Sequence, residues 1–278
     1  MKHVLALLPF PAKNVIALRP GCAGCGLHRL CLPMGLDNAA MAQLDQIIGH
    51  GRRVSQDKRL YRMGDSFKNL YAIRFGHFKT SQVNHNGEQQ IIGFQMAGEL
   101  LGMDGIGSGE HSCDAIALED SEVCEIPFSR LETLFGHMPI LLHHFHQVMS
   151  QEIIRDQGNM LMLGNMHAEQ KFAAFLVSLS SRYAALGYSS NSFGLRMSRT
   201  DIGNYLGLTI ESISRLTSHF RAHNLVTVEK RELHILDLAK LTEMALGGEV
   251  PRLSDKSKKG SKNISDATGN EDREKIVK

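Results

Sequence analysis

Cys22, Cys25 and Cys31 crowd the short Gly-rich stretch from Gly21 to Pro33, and Cys124 stands alone far downstream. A C-x2-C-x5-C cluster offers soft thiolates, which select zinc or an iron-sulfur cluster over hard cations. An iron-sulfur cluster takes four thiolates, and these can come from distant parts of a chain. Zinc competes for the same residues, because His28 lies between Cys25 and Cys31 and can complete a Cys3His tetrahedron. A disulfide framework fits poorly, since five cysteines in 278 residues is an odd and sparse set. Covalent haem attachment fails because Gly26, not His, follows Cys25.

A second constellation runs from Met197 to Leu216. Ser198 can cap one helix, Gly207 supplies a turn that calls for positive φ, and Thr209 can cap the next helix. In that second helix Ile213, Leu216 and Phe220 share one face, while Glu211, Ser214, Arg215 and Ser218 share the other. These outward residues match base-edge chemistry. Arginine forks onto guanine O6 and N7, glutamate accepts from cytosine N4, and serine serves either kind of edge. A helix-turn-helix places the start of its second helix in the major groove, and the segment from Leu225 to Ile235 reads as a two-stranded wing behind it.

Between these two constellations lie the elements that must position them. Leu36, Ala40, Leu44 and Ile47 recur at helical spacing, which predicts a small amphipathic helix over 36–48. From Arg53 to Ile126 the texture is strand and turn, with hairpin punctuation at Gly76 and at Asn84 to Gly87, and this argues a β-roll or jelly roll. The Gly105, Gly107 and Gly109 string lacks the features of a nucleotide fingerprint and reads as a surface loop. After Pro127, Ser129-x-x-Glu132 predicts a capping box. From Pro139 to Met166 the residues Leu142, His146, Met149, Ile153, Asp156, Met160 and Leu163 recur at alternating steps of four and three, the pattern of a heptad seam. It either packs on its own domain or pairs two copies. Asp156 would face itself across a two-fold axis, and two facing carboxylates repel or must take up a proton. It therefore reads as a device that keeps dimerisation marginal, against an Asp that simply turns to solvent. His143, His144 and His146 are read as helix-surface histidines.

Composition bounds the rest. The chain is 42% hydrophobic with net charge +2, so a DNA-binding face must come from local charge. No apolar run has membrane-spanning length. Lys2 and Val4 to Leu8 faintly resemble a signal peptide, but Pro9, Pro11, Lys13 and Arg19 interrupt it. A cytoplasmic, reducing location is expected, where clustered cysteines favour metal or redox work. The tail over 247–278 is polar and reads as disordered, with Lys256, Lys258, Lys259 and Lys262 able to add weak DNA attraction.

Together with Leu70 to Arg74, Ala97 to Leu100, Ile106 to Gly109, Val123 to Phe128 and Asp201 to Thr209, these motifs resemble the oxygen-responsive FNR-type regulators of the CRP/FNR superfamily, from about Gly21 to Leu241. The resemblance implies an α+β chain: an N-terminal extension (1–20), a cluster loop and cyclic-nucleotide-binding-like β-roll or jelly roll (21–137), a long dimerisation helix (138–165) and a C-terminal winged helix-turn-helix (166–241). It implies a [4Fe-4S] cluster on Cys22, Cys25, Cys31 and Cys124 that favours a DNA-binding homodimer without oxygen. It implies base reading by Glu211, Ser214 and Arg215 beside Thr209 on a palindrome like TTGAT-N4-ATCAA, a monomerising role for Asp156 with Ile153 and Met160 at the interface, and contact with RNA polymerase through loops such as Asn84 to Glu88. Gly26, where the family often has Ser, and His28 and Leu30 lie in the cluster loop and are placed to tune the cluster. Cyclic-AMP receptors in the superfamily cradle phosphate with an Arg-Ser pair. Here the segment is His111 to Asp114, and no fixed guanidinium remains to pair with the anion, so no cyclic-nucleotide site is expected. The chain is read as a regulator and not an enzyme. A zinc or thiol regulator and an iron-sulfur electron carrier are the alternatives, the latter leaving the helix-turn-helix unexplained.

Overall fold

The computed structural model describes residues 21–83 and 86–248. The N-terminal extension, nearly all of the polar tail, and Asn84 and His85 lie outside the described residues. Asp37 caps the first helix, α1 (Asn38–Ile47), by accepting from the Ala40 N–H at 2.8 Å. Met41 and Leu44 turn inward there, with Leu36 buried just before the cap.

Eight strands follow: β1 (Gly49–Val54), β2 (Arg59–Tyr61), β3 (Asn69–Phe75), β4 (His77–Val83), β5 (Gln89–Met96), β6 (Leu100–Leu101), β7 (Asp114–Ala117) and β8 (Ser121–Pro127). They form two antiparallel four-stranded sheets in the orders β1-β8-β3-β6 and β2-β7-β4-β5. Only one of the two expected hairpin turns closes a hairpin. β4 pairs with β5, whereas Gly76 carries the chain from one sheet to the other, so β3 and β4 are not partners. Gly76 has φ +94, and a Cβ there would fall 2.1 Å from the Ser121 hydroxyl, so no other residue fits.

Strand alternation then sorts side chains to two cores. Tyr71, Ile73, Val123 and Phe78 fill the space between the sheets. Leu70, Ala72 and Ile126 point to the other side, where Leu32, Leu44, Leu131 and Leu141 cover them. Cys124 lies opposite Ala72 in the ladder and packs against this second core.

Helix α2 (Phe128–His137) begins two residues earlier than the expected capping box places it. Pro127, not Ser129, is the cap position; its side chain offers no acceptor, and the Phe128 N–H donates to the Lys68 carbonyl at 3.0 Å. Helix α3 (Pro139–Asn165) is a single 27-residue rod. The C-terminal body comprises α4 (Ala168–Ala185), β9 (Ser192–Gly194), α5 (Arg199–Leu206), α6 (Ile210–Ala222), β10 (Val226–Glu229), β11 (Glu232–Ile235) and α7 (Leu238–Ala245). The wing is three-stranded, in the order β10-β11-β9, not two-stranded. Its third strand, Ser192 to Gly194, is too short to signal itself by alternation. Phe172, Leu176, Leu206, Ile213, Leu216 and Phe220 form the core of this body, which continues onto Ile91, Phe94 and Met96 of β5.

Candidate metal centre and nucleic-acid interface

The cysteine loop is a run of tight turns. Cys25 N–H donates to the Cys22 carbonyl, His28 N–H to that of Cys25, and Cys31 N–H to that of Leu27. Asp45 anchors the loop's start by accepting from the Cys22 N–H at 2.8 Å. A Cβ on Gly21 would sit 2.2 Å from the Asp45 carboxylate, so any other residue would push Asp45 off the Cys22 N–H. Cys22, Cys25, Cys31 and Cys124 all line one small pocket of about 30 Å³, with Leu27, Ile48, Ala72 and Ile126 as apolar walls. That volume holds about one water molecule. Among the described residues no three His, Cys, Asp or Glu side chains are gathered tightly enough to hold a metal ion. The four thiols therefore line a common space without forming a closed cage.

The donor set fits a soft centre, being four sulfurs in an apolar setting. Burial pushes the Cys31 thiol up to about 12, against a smaller lowering by the Leu32 backbone, and raises Cys22 and Cys124 as well. Charge on one sulfur opposes charge on its neighbours, and a bound cation reverses that sign. His28 also lines the pocket, but its Nδ1 is engaged by the Cys25 carbonyl at 2.8 Å. A side chain on Gly26 would meet nothing within 4 Å, so the packing here does not require glycine. Leu30 is 38% exposed and rests against Gly98.

The loop touches α3 where the His144 ring meets the Cys31 carbonyl at 3.3 Å. His144 is thus buried, unlike exposed His143 and His146. Along the seam Leu142 and Met149 are half-buried near the roll. Ile153 (55%), Met160 (66%) and Leu163 (40%) are uncovered further on, with Asp156 exposed between them. Burial raises the Asp156 carboxyl above its ordinary value, and Arg155 only partly offsets this.

In the C-terminal body the Ser198 hydroxyl accepts from Asp201 N–H at 3.0 Å, and the Asp201 carboxylate accepts from Ser198 N–H at 3.1 Å, a closed capping box. Gly207 takes φ +64, and the Thr209 hydroxyl accepts from Ser212 N–H to start α6. Ile213, Leu216 and Phe220 are buried; Thr209, Glu211, Arg215 and Ser218 are exposed, and Ser214 is half-buried. The Glu211 carboxyl is held below its ordinary value by its own backbone N–H and then by Thr209, so it stays an acceptor at neutral pH.

Two family matches tile this architecture: a cyclic nucleotide-binding domain over residues 51–138 and a Crp-like helix-turn-helix domain over residues 170–244. The chain is 44% identical over 229 residues to the transcriptional activator protein Anr of Pseudomonas protegens, spanning 82% of this chain and 93% of Anr. It is 43% identical over 224 residues to the fumarate and nitrate reduction regulatory protein of Escherichia coli, spanning 81% of this chain and 90% of that protein. The chain belongs to the FNR-type regulators of the CRP/FNR superfamily. This FNR-type chain is accordingly a DNA-binding transcription regulator. Its fold is similar to that of FixK2 from Bradyrhizobium japonicum, with a TM-score of 0.65 over 73% of this chain and 98% of that one at 23% identity. Among the described residues, no helix is long and apolar enough to cross a membrane.

In this FNR-type roll, His111 is buried and stacked on Tyr61 with ring centroids 3.7 Å apart. Asp104 accepts from the Ser112 N–H at 2.7 Å. Where an anion would need cations, the turn therefore presents a carboxylate. Cys113 is a buried thiol directed at the same Asp104, with burial pushing it up to about 12. It packs as a small apolar residue.

No local signal in the sequence announces the contacts that join the roll and α3 of this FNR-type chain to its DNA-binding body. Lys79 on β4 pairs with Asp201 on α5 at 2.6 Å. The Asn204 amide donates to the Gln89 carbonyl at 2.7 Å, and Tyr205 donates to Asn159 of α3 at 2.8 Å. Glu99 pairs with Arg182 of α4 at 2.6 Å and with Arg155 of α3 at 3.2 Å. Burial pushes the Glu99 carboxyl up, but Arg182 and then Arg155 outweigh it and hold it below its ordinary value. Each contact spans a long sequence separation, so no periodicity announces it.

Proposed function

We propose that this regulator senses oxygen through a [4Fe-4S] cluster held by Cys22, Cys25, Cys31 and Cys124, and that the loaded form is a homodimer that binds a TTGAT-N4-ATCAA-like palindrome under anaerobic conditions. The observation that carries the proposal is the convergence of the three loop cysteines and Cys124 on one pocket. The bound cluster supplies the reactivity toward oxygen. The chain's own residues do the rest. Ligation ties the loop to β8, whose next element but one is α3, and the Cys31 carbonyl already meets His144 on that helix. Stabilising this end of α3 biases a marginal pairing of the seam at Ile153, Asp156 and Met160. Only a difference in free energy between monomer and dimer is needed, and about 1.4 kcal/mol shifts a population tenfold.

Pairing brings two α6 helices to half-sites about one DNA turn apart. There Arg215 is placed to fork onto guanine, Glu211 to accept from cytosine N4, and Ser214 to read a neighbouring edge, with Thr209 at the helix start. Transcription is then activated or repressed through contact with RNA polymerase by roll loops, for which the turn after β4 is the candidate. No role for a cyclic nucleotide is proposed, since His111 to Asp114 replace the Arg-Ser pair that would cradle its phosphate and the nearby Arg59 guanidinium is taken by Asp114. Iron, sulfide and zinc analysis of anaerobically purified protein, with visible spectra before and after air, tests the reading. Iron and sulfide with an air-bleached absorption are expected. Zinc without iron and sulfide overturns it and favours the Cys3His alternative.

A further inference from the structure

Two recognition helices can land one turn apart only if each DNA-binding body holds a fixed pose on its interface helix. The link between α3 and α4 is short, only Met166 and His167, and Met162 and Met166 pack into the body's core, which holds the two helices together. Lys79–Asp201 and Asn204–Gln89 join roll to body and Tyr205–Asn159 joins body to α3; a charged joint on Glu99, in the turn between β5 and β6, ties all three parts at one point. One carboxylate oxygen accepts from Arg182 Nε at 2.9 Å and Arg155 Nη2 at 3.2 Å. The other accepts from Arg182 Nη2 at 2.6 Å and from the Met96 N–H at 2.9 Å. Arg182 also donates to the Phe94 carbonyl at 2.6 Å, and Arg155 to Glu152 at 2.8 Å. One acid therefore joins the sensor roll, the interface helix and the first helix of the DNA-binding body.

We propose that Glu99 and Arg155 are positioning residues for operator binding: their joint fixes the register of roll, α3 and α4, so that pairing of α3 sets the spacing of the two recognition helices. The proposal rests on the dimeric, palindrome-binding reading above. Side-chain exposures of 16% to 31% around the joint mean that three or four charges are largely removed from water. Desolvation cancels much of the attraction in such a group, so its presence is weak evidence for stability, whereas fixing register is the best-attested use. Geometry argues the same way. Apolar contacts between the roll and the body tolerate sliding, but a guanidinium fork satisfies a carboxylate in few orientations. Arg155 reaches toward the roll, while the seam is carried by Ile153, Asp156 and Met160, so a change at 155 can separate positioning from pairing.

The test compares anaerobically prepared wild type with Arg155→Gln, which leaves the Glu99–Arg182 pair in place, and with Glu99→Gln, checked for folding by thermal melting. Sedimentation velocity measures dimer content. Fluorescence anisotropy measures binding to the palindrome and to versions with the spacer one base shorter or longer. For Arg155→Gln, compared with wild type at matched dimer content because the lost charge also acts on Asp156, the expected result is about tenfold weaker binding at the four-base spacer and a flattened preference among spacers. Unchanged affinity and spacer preference would overturn the proposal. So would parallel loss of dimer and DNA binding, which would place Arg155 in the seam. A wild-type dimer that binds no palindrome would remove the functional reading along with it.

Discussion

Replacing Asp156 with alanine should turn the cluster-free protein from monomer into dimer. The residue sits among the uncovered apolar side chains of α3, with Ile153 and Met160 on either side, 55% and 66% exposed. Pairing two copies along this face sets each Asp156 opposite its twin. At about 4 Å two unit charges repel by about 1 kcal/mol in water and about 4 kcal/mol at an effective dielectric of 20. The carboxylate is exposed in the single chain and only partly covered on pairing, so solvent screening keeps the cost inside that range. Its removal should strengthen dimerisation by roughly fivefold to several hundredfold. The sign with pH follows from the raised Asp156 carboxyl. Facing copies raise it further, so the dimer binds more protons than two monomers, and wild-type dimerisation strengthens as pH falls toward that raised value. The alanine variant loses this dependence. Sedimentation velocity in air, over a concentration series at neutral and mildly acidic pH, reads both effects. An Asp156→Ala protein that stays monomeric throughout would refute the repulsion argument.

Several other perturbations have defined outcomes. Arg215→Ala should cost about 1–3 kcal/mol of operator discrimination, and anisotropy with base-substituted half-sites should show the loss at one position and its symmetry mate. Cys124→Ser should abolish iron and sulfide loading, while Cys113→Ser, buried at Asp104 away from the pocket, should leave loading and the visible spectrum intact. Gly207→Ala should destabilise the chain by about 1–2 kcal/mol through its left-handed backbone alone, because the nearest atom to the new Cβ, on Leu163, is 3.8 Å away; calorimetry reads this directly. Phe220→Ala should cost about 3–5 kcal/mol in urea unfolding, since the ring is fully buried against Phe172.

Local rules made part of this protein legible. Ser198, Gly207 and Thr209 sit where caps and a positive-φ turn are required by nearest-neighbour geometry, and the structure has all three in those roles. The 3.6-residue period that puts Ile213, Leu216 and Phe220 inward leaves Glu211 and Arg215 outward by necessity. The heptad seam likewise emerges as one unbroken helix. Where a rule met a competitor it failed. Ser129 lost its cap role because strand β8 runs to Pro127 and the Lys68 carbonyl takes the first helical N–H. Gly76 looks like a hairpin turn from its flanks, but the two sheets of the roll claim its neighbours separately.

The sequence by itself determined which chemistries are present: four thiols, a polar outward helix face and an acid in an apolar seam. Residue type and short spacing suffice for those, because caps, periodicity and ligand preference act within a few residues. Only the tertiary structure decided what meets what. Cys124 faces the cysteine loop because the β8 ladder sets it opposite Ala72 on the outer side of the roll. Glu99 joins Arg155 and Arg182 because three separately built elements close on it. Those meetings depend on register and packing across the whole chain, which no local pattern encodes.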